Sequence, residues 1–411
     1  MNIGRRRLLK LLAALGVSTT MTAGRSAAAA GERAKFDVVV VGAGVFGIWS
    51  AWRLHRAGRR VAVIDAVAPA HTRASSGGES RVIRAGYGDQ EIYSEWAWRS
   101  LADWQALSAR SGLPVFHPMG VLWLHEERDA LVRASADVLS RLGIPHEFIS
   151  AGDLRSRYPV LRADDGEAGF LEPRAGALMA RRAVQFMAAE LKADGVPFFG
   201  ARVNPVRADQ AIGGSLPAVT TRAGETIAAE QFVFACGPWL DQACPEAMAG
   251  RLFVTRQEVF YFGVVAGATG ALPVWADLPF YGFPDLEGRG FKVADDTHGA
   301  PMDPDSGDRR ASEEGERRAR AFLARRFPAL ADAPLTESRV CQYENSSDGH
   351  LVIDRHPGLD NVWLVGGGSG HGFKHGPAVG AHVAALVGGK ASPRAPFLLG
   401  AKGSRQQRAV Q

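Results

Sequence analysis

Three glycines and a later acidic residue form the stretch of sequence whose spacing suggests chemistry most directly. Gly42, Gly44 and Gly47 have the spacing GxGxxG, and Asp65 follows about 20 positions later. In such a turn the first glycine permits a tight bend, the second lets a pyrophosphate approach the backbone, and the third lets a helix pack closely. The acid accepts hydrogen bonds from a ribose. The spacing predicts a dinucleotide site, for either NAD or FAD.

Apolar segments flank this turn and would position it. The sequence predicts a buried strand from Phe36 to Val41, an amphipathic helix from Ile48 to Arg56, and a second strand from Arg60 to Ile64. Val45 and Phe46 then stand where the helix begins, and free N–H groups there bind phosphates. A parallel strand–helix–strand unit without a ligand is the alternative interpretation of the same pattern.

Composition limits the class of protein. The 411 residues suffice for two domains, and no run of about 18 or more uncharged apolar residues predicts a membrane span. The formal net charge of +5 comes from residues 1–30, which contain five basic residues and no acidic one. The remaining charges balance, so the basic pI does not indicate nucleic-acid binding.

The first 30 residues have the three regions of an export signal. Gly4 to Lys10 is rich in arginine, Leu11 to Val17 is apolar, and small residues continue to Ala30. Paired arginines are typical of the twin-arginine type, which carries folded proteins. We expect residues 1–30 to be such a signal, the Tat export machinery to be a partner, and the protein to be periplasmic or extracellular. A disordered basic tail is the alternative.

A second strand–glycine–helix unit lies near the C-terminus. The pattern predicts a strand from Asn361 to Val365, a glycine-rich loop from Gly366 to Gly372, and a helix from Pro377 to Val387. Between the two units, residues 66–89 predict a long loop, residues 116–125 predict a strand, and the aromatic-rich residues 251–291 predict an antiparallel sheet. A nucleotide domain built from both ends of the chain is typical of flavoproteins more than of NAD enzymes.

Cysteine usage is sparse. The chain has Cys236, Cys244 and Cys341, an odd number that leaves one thiol of an exported protein for another use. No CxxC motif occurs, and the spacing of His and Cys predicts no metal site. Whether Cys236 and Cys244 form a disulfide stays open.

Five motifs together resemble one protein family, the sarcosine oxidase family of amine oxidases within the D-amino acid oxidase superfamily. The resemblance runs from Phe36 to about Gly389. The motifs are the GxGxxG unit with Asp65; Ser75-Ser76, Arg81 to Arg84 and Tyr87-Gly88; Tyr281 to Pro284 and Gly290 to Lys292; Cys341 to Tyr343, Ile353-Asp354 and His356-Pro357; and Gly370 to Lys374.

This resemblance implies a D-amino acid oxidase-like α/β fold. Its FAD-binding, Rossmann-like domain would comprise residues 36–85, 151–250 and 345–390. An inserted substrate domain with an antiparallel sheet would comprise residues 86–150 and 251–344.

The family also implies FAD held by a thioether between a cysteine and the 8α carbon of the flavin, and the matching residue is Cys341. Such a bond needs a thiolate at the dimethylbenzene edge, which nearby cations favour. The alternative for Cys341 is a small buried apolar residue. Cys236, in a strand-to-glycine turn, is the rival thiol.

Several charged and aromatic residues match the family's substrate site. Arg84 and Lys374 match the pair that binds the substrate carboxylate, a strong anion site in a dry pocket. Lys292 matches a lysine that activates oxygen, and Tyr281 and Tyr343 match tyrosines that line the cavity. Solvated charges and packed rings are the respective alternatives.

The residues expected to bind the cofactor come from both glycine units and the loop after Asp65. They are Gly42, Gly44, Val45, Phe46, Gly47, Asp65, Ser76, Arg81, Cys341, Gly368, Gly370, Gly372, Phe373 and Lys374. Lys374 also precedes a helix whose free N–H groups would stabilise negative charge at flavin N1 and O2.

Two positions depart from the family pattern, which has histidines near Gly77 and at Asp296. We expect both positions near the substrate or the flavin edge, with a wider pocket at Gly77 and a more acidic one at Asp296. A larger or cationic secondary amine would then fit better than sarcosine.

The expected function is oxidation of a C–N bond in a secondary or N-methyl amino acid. Hydride would pass from the carbon beside nitrogen to flavin N5, the imine would hydrolyse to an aldehyde or ketone, and O₂ would be reduced to H₂O₂. One alternative is a periplasmic amine dehydrogenase that passes electrons to a respiratory carrier. Another is a non-catalytic flavin-binding accessory protein. An NAD-dependent enzyme would leave the second glycine unit unexplained.

Overall fold

The structure, a computed structural model, describes residues 36–126 and 129–407, so the predicted export signal lies outside the described residues. The strands are β1 Phe36–Val41, β2 Val61–Asp65, β3 Ser80–Ile83, β4 Phe116–His117, β5 Val121–Glu126, β6 Glu147–Ser150, β7 Glu167–Glu172, β8 Gly176–Met179, β9 Phe198–Gly200, β10 Ala218–Thr220, β11 Thr226–Phe234, β12 Leu252–Phe262, β13 Val274–Asp277, β14 Phe280–Phe283, β15 Phe291–Asp295, β16 Leu335–Ser346, β17 Val352–His356 and β18 Leu359–Gly366. The helices are α1 Val45–Arg56, α2 Glu91–Ser111, α3 Ala130–Arg141, α4 Ala151–Arg157, α5 Ala180–Ala193, α6 Leu240–Ala243, α7 Pro245–Met248, α8 Glu313–Arg326 and α9 Gly376–Val387.

A seven-stranded sheet joins both ends of the chain. Its order is β17-β18-β11-β1-β2-β9, with β10 paired to β11. Strands β18, β11, β1, β2 and β9 are parallel, whereas β17 and β10 pair antiparallel. Alternate residues of β1 enter different cores, Val38 and Val40 on one face and Val39 and Val41 on the other. Burial on both faces explains why residues 38–41 of β1 are all valine, and the predicted Rossmann-like α/β fold is confirmed.

Helices α1 and α9, one from each glycine unit, pack directly against each other. A Cβ added to Gly380 of α9 would lie 2.6 Å from the backbone carbonyl carbon of Trp49 in α1. Real Cβ atoms do not approach so closely, so glycine is required there. The contact brings the helices that follow the two glycine loops side by side, and with them the loops.

An eight-stranded sheet forms the second large layer, in the order β16-β12-β15-β14-β13-β5-β7-β6. Helix α8 covers one face, where Phe322 packs near Trp275, Phe291 and Phe327. The predicted antiparallel sheet is confirmed for β12 to β15, but β13 pairs with β5 in parallel. Strand β16 is an edge strand of this sheet.

The predicted element bounds were wrong in three places. Residues 66–89 are not loop throughout, because β3 lies within them and forms a three-stranded sheet with β8 and β4. Helix α1 begins at Val45 and not at Ile48 as predicted, so Gly47 lies inside its first turn. The single strand predicted over 116–125 is two strands, broken where Gly120 takes a φ of +76°.

The sheets and helices of the described residues belong to one compact unit. The predicted division into two domains therefore stays a prediction. Strand β7 falls within the range 151–250 assigned to the nucleotide domain, yet it pairs with β5 and β6 in the eight-stranded sheet. None of the helices in the described residues is long and apolar enough to cross a membrane.

Candidate cofactor and substrate sites

The first glycine turn is fixed by close backbone contacts. Gly42 has a φ of +104°, and a Cβ there would lie 2.3 Å from the carbonyl oxygen of Ala235. A Cβ on Gly47 would lie 1.9 Å from the oxygen of Gly42. At Gly44, by contrast, an added Cβ would meet only Ser76 Oγ, at 3.6 Å. Gly42 and Gly47 shape the turn, whereas Gly44 leaves space above it for a ligand.

Asp65 closes this turn from the neighbouring strand. Its Oδ2 accepts a hydrogen bond from the N–H of Ala43 at 2.8 Å, and its Oδ1 accepts one from Val67 at 2.9 Å. The carboxylate also borders a cavity beside His71 and Trp239. Asp65 thus lies at the edge of the turn as expected, and its contact with a ribose stays a prediction.

A cavity extends from the helix N-terminus to Cys341, and we call it the cofactor cavity. Its lining includes Gly44, Val45, Phe46, Ser76, Arg81, Cys236, Cys341, Tyr343, Glu344, Gly368, Gly370, Gly372 and Phe373. Most of the residues expected to bind the cofactor therefore meet around one space. Because this space runs from a phosphate-binding helix end over glycine backbone to a thiol, the residues present fit a flavin dinucleotide.

Two contacts within the cofactor cavity were not evident from the sequence. Ser76 Oγ accepts a hydrogen bond from the N–H of Val45 at 3.0 Å, so one N–H of the first helical turn already has a partner. A Cβ on Gly370, whose φ is +79°, would lie 2.7 Å from the ring of Tyr343. The glycine loop before α9 therefore presses directly on strand β16.

Cys341 lies beside a partly buried cation, the guanidinium of Arg81. Its Sγ is 3.6 Å from Nη2 of Arg81, whose guanidinium also donates to the carbonyl oxygens of Ser75 at 2.6 Å and Ser80 at 2.8 Å. These two carbonyls hold the guanidinium in place. Cys341 and the rival thiol Cys236 are both partly exposed, and both line the cofactor cavity. Burial raises the pKa of Cys236 well above its usual value.

A second cavity adjoins the first, and we call it the substrate cavity. It shares Arg81, Tyr343, Gly370 and Phe373 with the cofactor cavity. Its other lining residues include Arg84, Trp123, Tyr281, Asp296, His371 and Lys374. The structure therefore brings the predicted carboxylate-binding pair and both predicted tyrosines to one space beside the predicted flavin position.

Arg84 and Lys374 are each held by neighbours that fix their positive charges. Arg84 donates to the carbonyl oxygen of Gly86 and lies over the ring of Tyr87, with its guanidinium carbon 4.4 Å from the ring centre. Lys374 Nζ donates to the Tyr87 hydroxyl at 2.8 Å and to the His371 carbonyl at 3.0 Å. Burial, aided by the charge of Arg84, holds the pKa of Lys374 well below its usual value.

Asp296 places a negative charge in the same cavity. The residue is 7% exposed, and its Oδ1 accepts a hydrogen bond from the Tyr343 hydroxyl at 2.7 Å. Burial raises the pKa of Asp296, and the charges of Arg84 and Lys374 act against that rise. The prediction of a more acidic pocket at this position agrees with the geometry. Gly77 does not line this cavity; a Cβ there would instead meet the carbonyl oxygen of His71 at 2.0 Å, so the expected widening was wrong.

Lys292 lies apart from Lys374, in a third cavity that it shares with Arg81, Tyr281, Cys341 and other residues. The residue is 2% exposed, and its Nζ donates to Ser80 Oγ at 3.2 Å. Burial, followed by the charge of Arg81, lowers the pKa of Lys292 well below its usual value. A buried ammonium in such a place gains free energy from any negative charge that arrives nearby.

Sequence reasoning missed the residues that support Arg84 and Lys374. The buried carboxylate of Glu172 accepts hydrogen bonds from the N–H groups of Ala85 and Gly86 and from Trp123 Nε1. Tyr87 lies in one of the quoted motifs, yet nothing in that motif gave its contact with Lys374. Glu172 belongs to no motif, and no sequence signal identified it. Among the described residues no cluster suited to a metal ion occurs, and Cys236, Cys244 and Cys341 are free thiols.

The fold and the two cavities define a flavin-dependent enzyme class, and comparison with known proteins agrees. The family described as FAD dependent oxidoreductase (DAO) matches residues 37–386. The chain belongs to this family, so FAD is the dinucleotide and the predicted FAD-dependent oxidoreductase is confirmed.

Individual proteins similar to this chain narrow the family further. Monomeric sarcosine oxidase of Bacillus sp. (strain NS-129) is 29% identical over 86% of this chain and 92% of its own length. N-methyl-L-tryptophan oxidase of Salmonella arizonae is 28% identical over 84% and 93%. The solved structure of fructosyl peptide oxidase from E. terrenum superposes with a TM-score of 0.77 at 22% identity, covering 93% and 96%. The resemblance to the sarcosine oxidase family is confirmed, and the structural likeness shows the shared fold.

Proposed function

We propose that this protein oxidises the C–N bond of a secondary or N-methyl amino acid and passes the electrons to O₂. The observation that carries the proposal is the substrate cavity. Two cationic side chains, the partly buried Arg84 and the buried Lys374, face it together with the carboxylate of Asp296, and it opens beside the cofactor cavity. An amino acid carries one negative and one positive group, which match these two sets of charges.

In this proposal Arg84 and Lys374 bind the substrate carboxylate, and Asp296 faces the amine. Tyr343 donates to Asp296 and so keeps that carboxylate oriented. When bound, FAD would supply the redox chemistry, which is hydride acceptance at N5 and electron transfer to O₂. Lys292, in the third cavity, offers positive charge for the oxygen reaction, since reduction of O₂ creates negative charge.

The two relatives named above act, by their names, on sarcosine and on N-methyl-L-tryptophan, both N-methyl amino acids. This shared chemistry supports an N-methyl or other secondary amino acid as substrate. The acidic group at Asp296 supports a cationic amine, because a positively charged amino group gains free energy from a carboxylate beside it.

The proposal is tested by an anaerobic screen of secondary and N-methyl amino acids, read as bleaching of the flavin absorption. At least one such compound should bleach the flavin, and admitting air should restore the colour with release of H₂O₂. Bleaching without reoxidation by air would instead identify a dehydrogenase that uses another electron acceptor. A flavin that no amine bleaches would identify an accessory protein.

Covalent attachment of FAD to Cys341 is a separate proposal, supported by the exposure of this thiol to the cofactor cavity and by Arg81 beside it. After acid precipitation, the yellow colour should stay with the protein. In Cys341→Ser it should pass into the supernatant, whereas Cys236→Ser should behave like the wild type. Colour that stays with Cys341→Ser would contradict this attachment.

We also propose export through the twin-arginine route, supported by the sequence of residues 1–30. Full-length protein should appear in the periplasmic fraction of a Tat-competent host. The double substitution Arg5→Lys and Arg6→Lys should retain it in the cytoplasm, and a periplasmic location for that variant would contradict the proposal.

A further inference from the structure

The free edge of strand β16 forms one wall of the cofactor cavity. Strand β16 pairs on one side with β12, and the carbonyl oxygens on its other edge accept from outside the sheet: Gln342 from Ser75 Oγ at 2.9 Å, and Glu344 from the N–H of Ser369 at 2.8 Å. Because the edge faces the cavity, side chains from both faces of the strand reach it, including Cys341 and Glu344.

Glu344 is a buried carboxyl group that the proposed reaction does not use. It is 5% exposed, and its Oε1 has no hydrogen-bond partner among the described residues. The chain makes room for this oxygen, because a Cβ on Gly366 would lie 2.4 Å from it. Buried polar atoms are rarely left without a partner, so an unpaired oxygen in a ligand cavity indicates a partner supplied by the ligand.

The protonation state of Glu344 determines what it can bind. Burial raises its pKa to about 8, the N–H groups of Gly367 and Gly368 oppose that rise, and the charge of Asp241 adds to it. The thiol of Cys236, which also faces Glu344, has its pKa raised well above its usual value and stays neutral. At neutral pH Glu344 is therefore a carboxylic acid that both donates and accepts a hydrogen bond.

We propose that Glu344 binds a hydroxyl group of the ribityl chain of FAD. In the cofactor cavity the N-terminus of α1 suits the pyrophosphate, and Cys341 marks the predicted position of the flavin ring. Glu344 lies about 10 Å from Cys341 along β16, at three residues' separation, and beside the glycine loop that leads into α9. The polyol that links pyrophosphate to ring must cross this interval. A neutral acid exchanges hydrogen bonds with such a hydroxyl without repelling the phosphates.

The test measures the dissociation constant of FAD by fluorescence quenching in the full chain carrying Cys341→Ala, so that binding is reversible whether or not the wild type holds FAD covalently. At pH 7, adding Glu344→Gln should change this constant less than threefold, because the amide also donates and accepts. Adding Glu344→Leu should raise it about 10- to 100-fold, since a hydrogen bond at a buried site is lost. Near-UV circular dichroism and melting of the apoproteins check that each variant folds.

Two further measurements separate a ribityl contact from a general packing role. An FAD analogue that lacks the ribityl hydroxyls should bind more weakly than FAD to the Cys341→Ala protein, and this difference should be smaller with Glu344→Leu. With Glu344 present, binding of FAD should weaken as the pH rises through about 8; with Glu344→Gln it should not. The proposal is overturned if folded Glu344→Leu protein binds FAD as tightly as its parent. It is also overturned if the loss of affinity from removing the ribityl hydroxyls and the loss from Glu344→Leu are simply additive.

Discussion

The cofactor cavity and the substrate cavity are walled by different kinds of groups. The cofactor cavity takes its shape from backbone: Gly44 and Gly368 leave space, and Gly42 and Gly47 bend the chain. The substrate cavity instead relies on buried charged side chains. A backbone wall suits a ligand that never changes, whereas side chains adjust the charge presented to a particular substrate.

The energetic cost of the two cavities differs accordingly. At Gly42 and Gly47, an added side-chain atom would meet backbone that cannot move. In the substrate cavity, Lys374 and Asp296 each lose solvation, and burial displaces the pKa of both groups. Each cavity therefore fails in its own way when altered, the first by steric exclusion and the second by loss of charge.

The largest effect is expected from Gly47→Ala. The new Cβ would lie 1.9 Å from the oxygen of Gly42, so α1 must move and the fold should lose about 3 kcal/mol or more. Soluble yield and the urea midpoint of unfolding measure this loss. Gly44→Ala is the matched control: its Cβ meets Ser76 Oγ at an ordinary 3.6 Å, so the apoprotein should stay stable while FAD binding weakens. Equal stability losses in both variants would contradict the distinction between Gly47, which shapes the turn, and Gly44, which faces the ligand.

The second-largest effect is expected from Lys374→Met. Removing the ammonium leaves Arg84 alone to hold the substrate carboxylate, and kcat/KM should fall about 10²- to 10³-fold, about 3–4 kcal/mol. Steady-state oxygen consumption with the amino acid found in the screen measures it. Lys390→Met, an exposed lysine beyond α9, should match the wild type. A loss below tenfold would remove Lys374 from the carboxylate site.

Lys292→Met should separate the two lysines by the half-reaction that each serves. Stopped-flow measurement should show flavin reoxidation by O₂ slowed about 100-fold, about 3 kcal/mol, with anaerobic flavin reduction changed less than threefold. Lys374→Met should show the reverse pattern. If Lys292→Met slows flavin reduction and flavin reoxidation equally, Lys292 has no specific role in the reaction with O₂.

The smallest effect is a shift in pH dependence. The positive charge of Lys374 disappears as the pH rises through its depressed pKa, so binding of a carboxylate substrate should weaken in that range. Asp296 raises the pKa of Lys374. Asp296→Asn should therefore move the alkaline fall in kcat/KM to lower pH, by about one unit or less.

A series of kcat/KM measurements against pH gives this shift, with the exposed Asp332→Asn as control. An unchanged profile would mean that Asp296 and Lys374 do not act on each other across the cavity. A shift to higher pH would contradict the assigned sign of their interaction.

Much of the cofactor site was predictable because its information is local. The spacing from Gly42 to Asp65 predicted the turn, the strand–helix–strand unit and the dinucleotide, and the glycines before α9 predicted a second such unit. Steric demands on a backbone turn are met by residues a few positions apart, so they leave a readable pattern. The start of α1 was wrong and β3 was missed, because tertiary pairing and the glycine inside the first helical turn override local pattern.

The substrate site depended on distant parts of the chain. Motif resemblance supplied Arg84, Lys374 and Lys292 as candidates, but not that Lys292 lies in a cavity apart from Lys374, nor that Glu172 braces the backbone beside Arg84.

The sequence by itself determined a two-glycine-loop flavoprotein, since turn geometry and strand burial are encoded within short segments. Only the tertiary structure decided which buried charges face one another and which buried acid, Glu344, has an oxygen without a partner among the described residues. The physical reason is that these relations are fixed by strand order, by register and by the contact of β16 with the loop before α9. Those arise when segments hundreds of residues apart pack together, and no local periodicity records them.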